Sequence, residues 1–290
     1  MAKLGLHTFA FAPEWSDSVF RLRADQLHAL GVGLLEIPLL NPGAIDTDSV
    51  RRFAESEGFS VVASLGLPPE IDVIADPETG LAFLEKAFDD CVRIGSSVLS
   101  GVTYGTIGRT SGQPPTKAEL DGTVRFVARA AKAAARHGLS LGIEPCNRYE
   151  THIMNTAAQA AQMIEASGVD NVFIHLDTYH MHIEERSHAE GFRIAAPYLG
   201  YVHLSEANRG VPGHGNVDWR GVFAGLKAVD FDGMMTLESM NYTAPEIASG
   251  LAIWRPVAPR REDVVEIGLP FLKAEAENAG FVFEGFCDDS

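Results

Sequence analysis

The stretch HLDTYHMHIEE (175–185) places three histidines, an aspartate and two glutamates within eleven positions. These are ligand types for a divalent cation and groups that exchange protons near neutral pH. Similar residues recur at wider spacing. Glu144, Asp177, His203 and Glu238 each end a short apolar segment, and 33, 26 and 35 residues separate them. That is close to one residue per strand–helix unit. Neighbouring strands lie ~4.8 Å apart, so four side chains at successive strand ends can converge on one ion. Three carboxylates and an imidazole form a hard, oxygen-rich set. It suits one Mn²⁺, Mg²⁺ or Co²⁺ better than a closed tetrahedral zinc site. One acid at a strand end is unremarkable in any barrel. Four strands in a row ending in Glu, Asp, His and Glu are hard to reach by chance.

The elements that must position these residues can be read along the chain. Strand candidates are 3–9, 33–39, 60–66, 97–103, 139–144, 171–177, 199–205 and 233–238. Segments of helical periodicity lie between them. The stretch 117–137 keeps Leu120, Val124, Val127, Ala128 and Ala131 on one stripe. Gly31, Gly58, Gly138 and Gly168 follow helical runs, where a left-handed cap is wanted. Eight strands at a period of about 36 residues is the arithmetic of a (β/α)8 TIM barrel, of the α/β class. No glycine-rich first turn or P-loop favours an open sheet. One domain over 1–290 is expected, with an extra short helix after strand eight, within 241–260.

The same periodicity sorts the opening stretch. His175 and Asp177 share a strand face, and His175 lies one layer deeper, as a barrel-interior histidine. His180 falls just beyond the strand, within reach of whatever the ion holds. His182, Glu184, Glu185 and His188 fall on the following loop and helix start, in solvated or capping roles.

Composition narrows the partners. The net charge of −16 repels phosphate backbones and anionic membranes, which argues against nucleic acid and membrane partners. Apolar runs are far short of the ~20 residues a membrane span needs. The start, MAKLGLHTFAFAP, lacks a signal-peptide layout, so a cytoplasmic location is expected. Three scattered cysteines, Cys91, Cys146 and Cys287, argue against a disulfide framework. Cys146 reads as a small buried filler. Phe9, Phe11, Trp15 and Trp254 are candidate apolar walls. A homo-oligomer, dimer or tetramer, is expected, with the apolar loop around Trp254 as a contact.

The strings GIEPCNRYETHIMNT (142–156), HLDTYHMHIEE (175–185), YVHLSEANRGVPGHGNVDW (201–219) and TLES (236–239) resemble the ketose 3-epimerases of the xylose-isomerase-like barrel superfamily. The similarity runs from about Lys3 to Phe281. It implies that Glu144, Asp177, His203 and Glu238 bind one divalent ion, Mn²⁺ first and Co²⁺ or Mg²⁺ as alternatives. It further implies that Glu144 and Glu238 are the two acid–bases, that Glu150, His180 and Arg209 contact sugar oxygens, and that His7 lines the pocket. The chain departs from the family pattern at His7, His182, Ser205 and the stretch SMNYTAPE.

The chemistry fits those residue types. Inverting a carbon beside a ketone removes a weakly acidic proton from one face and returns one to the other. Two carboxylates on opposite faces can do so, with a divalent ion stabilising the enediolate. A metal-dependent epimerase acting at carbon 3 of a free ketose is therefore expected. An aldose–ketose isomerase on the same barrel is the rival. A metal-dependent endonuclease would want more histidines and a basic face, and a non-catalytic sugar-binding protein would not need two metal-bound carboxylates.

Overall fold

The computed structural model describes residues 2–283, apart from 244, 246, 247, 249 and 250. The eight apolar segments form parallel strands: Lys3–His7 (β1), Leu34–Pro38 (β2), Ser60–Leu67 (β3), Val98–Thr106 (β4), Ser140–Ile143 (β5), Val172–Asp177 (β6), Leu199–Leu204 (β7) and Met234–Leu237 (β8). Each pairs with its successor and β8 returns to β1, so the sheet closes into the expected (β/α)8 barrel. Outside it run Asp17–Arg21 (α1), Ala24–Ala29 (α2), Thr47–Glu57 (α3), Pro77–Ile94 (α4), Lys117–Arg136 (α5), Ala157–Ser167 (α6), Thr178–Glu184 (α7), His188–Ala195 (α8), Trp219–Ala228 (α9) and Leu269–Asn278 (α10). The last is entered through a π turn at Val264–Gly268.

Local chemistry sets the boundaries. A reciprocal capping box between Thr116 and Glu119 starts α5. The four helix-following glycines adopt φ of 79°, 77°, 72° and 64°, a region that costs residues with a Cβ. The first strand stops short of its expected end because the His7 Nδ1 accepts the Phe9 N–H at 3.1 Å and caps a 3-10 turn. After β6 there is no loop. Asp177 accepts the Tyr179 N–H at 2.8 Å and starts α7 at once, so His182 and Glu184 are helical. Within that stretch, His182 is exposed and Glu184 takes Arg148. Glu185 accepts the Ala157 N–H at the start of α6, and His188 is buried against the Thr178 carbonyl.

Two apolar bodies hold the barrel. The larger fills the space between sheet and helices and includes the fully buried Phe20, Phe53, Phe88, Phe126, Phe192 and Phe223. The smaller lies inside the barrel, where Leu34, Val62 and Tyr201 pack with Val98, Phe173 and Met234. Phe173 fits because β5 presents Gly142, where a Cβ would stand 2.7 Å from its ring. The barrel floor is therefore plugged, which leaves the carboxyl ends of the strands as the accessible face.

The expected extra helix after β8 falls on 241–260, part of which lies outside the described residues, as does Cys287. Trp15 and Phe11 are not pocket walls. Trp15 stacks on Phe20 at 4.8 Å and Phe11 packs edge-on to the same ring. Trp254 is 76% exposed. Among the described residues, no helix is long and apolar enough to cross a membrane.

Candidate active site

The ends of β5 to β8 bring Glu144, Asp177, His203 and Glu238 together, all buried. Ligand atoms of Asp177, His203 and Glu238 lie within 4.8 Å of one another, and those of Glu144, His175 and His203 form a second such group. A cavity of about 400 Å³ opens over them, lined on this side by Glu144, Glu150, His180, His203, Arg209 and Glu238.

Hydrogen bonding gives the histidines different roles. His203 Nε2 lies 2.6 Å from the Glu36 carboxylate, an acceptor, so Nε2 carries the proton. Its Nδ1 has no hydrogen-bond partner and sits 3.4 Å from a Glu238 oxygen. That nitrogen offers a lone pair to the cluster. His180 is the reverse. Its Nδ1 accepts the Asn147 backbone N–H at 3.1 Å and faces the Asn147 side-chain amide at 2.9 Å. Its proton is therefore on Nε2, 3.6 Å from a Glu144 oxygen, so His180 presents a hydrogen-bond donor to the cavity and no free lone pair. His7 follows the same logic: Nδ1 is taken by Phe9, and Nε2 points at Glu36, 3.7 Å away. His175 lies a layer below, as expected. Its Nδ1 meets the Ser100 hydroxyl at 3.0 Å, while its Nε2 has no partner.

Asn147 and Glu36 are the residues that sequence reasoning missed here. The Asn147 amide also donates to Glu150 at 2.8 Å, so one side chain orients both His180 and Glu150. Glu36, on β2, accepts from His203 and from the Tyr201 hydroxyl. The available signal was a lone acid in the apolar strand segment GLLEIPL.

Arg209 reaches the cluster from the loop after β7. Its guanidinium donates to Asp177 Oδ2 at 2.6 Å, to Ser205 Oγ at 3.1 Å and to Glu238 Oε2, and it stacks over the Tyr179 ring. The loop is anchored by Glu206, also unforeseen. This buried carboxylate accepts four N–H groups, from Ala207, Gly213, Val217 and the Trp219 indole.

The charge balance is uneven. Glu36, Glu144, Glu150, Asp177 and Glu238 are all buried here, and Arg209 is the one guanidinium among the described lining residues. Burial, reinforced by Glu238 and Asp177, pushes the Glu144 carboxyl well above its ordinary range. Burial also raises Asp177, to about 6. Burial would raise Glu238 too, but Arg209 and His203 beside it more than offset this and hold it well below. At His203 burial favours the neutral ring, yet Glu36 and Glu238 outweigh it and raise the pKa. A field that draws a proton to this point also draws a cation. With the unpartnered Nδ1 and the oxygen-rich donors, the set fits a divalent ion.

A model of the xylose isomerase-like TIM barrel matches residues 1–274. An L-ribulose 3-epimerase of Methylomonas sp. strain DH-1 is 35% identical over 93% of this chain and 96% of its own. A ketose 3-epimerase of Arthrobacter globiformis is 32% identical over 90% and 92%. The crystal structure of a D-allulose 3-epimerase from Methylomonas sp. in complex with D-allulose superposes with a TM-score of 0.88 at 34% identity, covering 94% and 97% of the two chains. The chain belongs to the xylose isomerase-like TIM-barrel family, and the relatives it resembles over most of its length are ketose 3-epimerases.

Proposed function

We propose that this protein inverts carbon 3 of a free ketose with the aid of one divalent ion, Mn²⁺ in the first instance, held by Glu144, Asp177, His203 and Glu238. The observation that carries the proposal is the placement of two buried glutamates at the ends of β5 and β8, with Asp177 and His203 on the strands between them. When bound, the ion would supply Lewis-acid polarisation of the substrate's carbonyl and adjoining hydroxyl.

The chain's own residues do the rest. Glu238, held ionised by Arg209 and His203, takes the proton from one face of carbon 3. Glu144 delivers one to the other face, and the roles exchange in the reverse direction. The His180 Nε2–H and the Arg209 guanidinium donate to oxygens 1 and 2, which fixes the reacting geometry. Glu150, pinned by Asn147, accepts from the hydroxyl on carbon 1.

Metal-loaded protein incubated with D-fructose, D-tagatose and L-ribulose should yield their carbon-3 epimers on chromatography. A chelator should abolish the reaction, and Mn²⁺ or Co²⁺ should restore it. Aldose products would instead make the protein an isomerase between carbons 1 and 2, and full activity without metal would refute the ion's role.

A further inference from the structure

Two consecutive backbone amides fasten the loop after β5 to α7. The Asn147 N–H is taken by His180 Nδ1 at 3.1 Å, and the Arg148 N–H by Glu184 Oε1 at 2.7 Å. His180 and Glu184 stand one helical turn apart on the same face of α7. The Glu184 carboxylate also receives the Arg148 guanidinium, with Nε on Oε1 and Nη2 on Oε2, both at 2.9 Å. The two side chains differ in setting: Glu184 is 6% exposed and Arg148 is 61% exposed. The guanidinium stands largely in water, where an ion pair adds little. The amide bond has the buried acceptor.

The docked turn is closed on itself. The Asn147 carbonyl accepts the N–H groups of Glu150 and Thr151 at 2.9 and 3.2 Å, and its side-chain oxygen accepts the Tyr149 N–H at 3.0 Å. What fixes Arg148 therefore fixes Asn147. A shift of this turn away from α7 would strip both Asn147 donors from His180 Nδ1. Nothing would then force the ring proton onto Nε2, the nitrogen that faces Glu144. We propose that Glu184 is a positioning residue. By holding the Arg148 N–H it docks the turn, and so keeps His180 in the tautomer that donates to the substrate and Glu150 in register beside it. The Arg148 side chain is secondary in this role. The inference rests on the epimerase reading for what the donor meets, and on the docking geometry alone for the tautomer.

Three variants test it. Glu184→Met removes the acceptor while filling its space. Glu184→Gln keeps an oxygen for the Arg148 N–H and loses the charge. Arg148→Met keeps the N–H and loses the guanidinium. Each protein is loaded with diamagnetic Mg²⁺ and isotope-labelled at the histidine nitrogens. The ring-nitrogen shifts of His180, assigned with His180→Asn, report its tautomer, and kcat/KM is measured on the ketose that wild type turns over best. We expect Glu184→Met to let His180 populate the Nδ1–H form and to lower kcat/KM about tenfold, the order expected for one lost hydrogen bond. Glu184→Gln and Arg148→Met should keep the Nε2–H form and stay within about threefold of wild type. A folded Glu184→Met protein with the wild-type tautomer overturns the inference. So does a tenfold loss in either of the other two, which would make the ion pair the functional part whether or not Glu184→Met folds. A wild-type protein that inverts carbon 3 of no ketose sinks the epimerase reading instead, and the tautomer measurement still judges the docking.

Discussion

Replacing Glu36 by Gln tests whether the acid buried in β2 tunes the proposed metal ligand. Glu36 Oε2 accepts from His203 Nε2 at 2.6 Å and from the Tyr201 hydroxyl, and Oε1 lies 3.7 Å from His7 Nε2. Burial would raise this carboxyl, but His203 and His7 outweigh it and hold the pKa at about 2, so the group is charged at any working pH. Gln can keep its oxygen on His203 and Tyr201, but its NH2 then turns toward the His7 Nε2–H, donor against donor. The hydrogen bond that polarises His203 becomes neutral. Charge-assisted bonds contribute about 1.5–3 kcal/mol and neutral ones about 0.5–1.5, so the imidazole loses roughly 1–2 kcal/mol of support. At ~1.4 kcal/mol per tenfold, the Mn²⁺ Kd should rise about five- to thirtyfold, overlapping the 10–100-fold range typical of such partners. Competition against a fluorescent chelator reads Kd directly. Turnover at saturating Mn²⁺ should fall far less than affinity does. A folded Glu36→Gln protein that binds Mn²⁺ as tightly as wild type would refute the reasoning.

The two-base assignment makes a labelling prediction. Metal-loaded Glu144→Gln and Glu238→Gln should both lose net epimerisation, yet in deuterium oxide each should still exchange the carbon-3 proton of one epimer, and the two variants should choose opposite epimers. Metal content is measured alongside, and labelling of the same epimer by both would replace two bases with one. Glu206→Gln should lower stability by about 3 kcal/mol, because its NH2 must face two of the four N–H groups that the carboxylate accepts. Urea titration checks this, and a loss below 1 kcal/mol would mean that the loop carrying Arg209 is held by other contacts.

Much of this was legible in the chain because a barrel repeats one local instruction. Each strand is short and apolar, and each ends where a functional side chain can face the mouth, so the regular spacing of Glu144, Asp177, His203 and Glu238 exposed the cluster. What was hidden depends on partners far apart in sequence. The pairing of Glu36 with His203 spans 167 positions. The orientation of His180 depends on a backbone N–H of Asn147, 33 positions away, and no periodicity reports a tautomer. The loop expected between Asp177 and the helix start is itself helical over Thr178–Glu184, because the same carboxylate that faces the cluster also caps a helix. Trp15 was misassigned because an aromatic near a strand end looks alike whether it lines a pocket or packs on Phe20 and Phe53.

The Asn147 amide, shared by His180 and Glu150, bears on how this rim can change over generations. Three positions hang on one side chain, so a replacement at any of them disturbs the others, and their effects should combine non-additively. A library that varies one of them at a time will find only losses there, and improved variants need concerted changes. On the opposite side of the cavity Pro38, Leu40, Leu65, Leu67, Pro68 and Ile107 offer no hydrogen-bonding side chain, and such positions tolerate single exchanges of similar volume. Evolvability around the barrel mouth is therefore lopsided. The half beside Glu144 is inherited as a block, while the half beside Ile107 can drift residue by residue, and new sugar specificities should arise from that side.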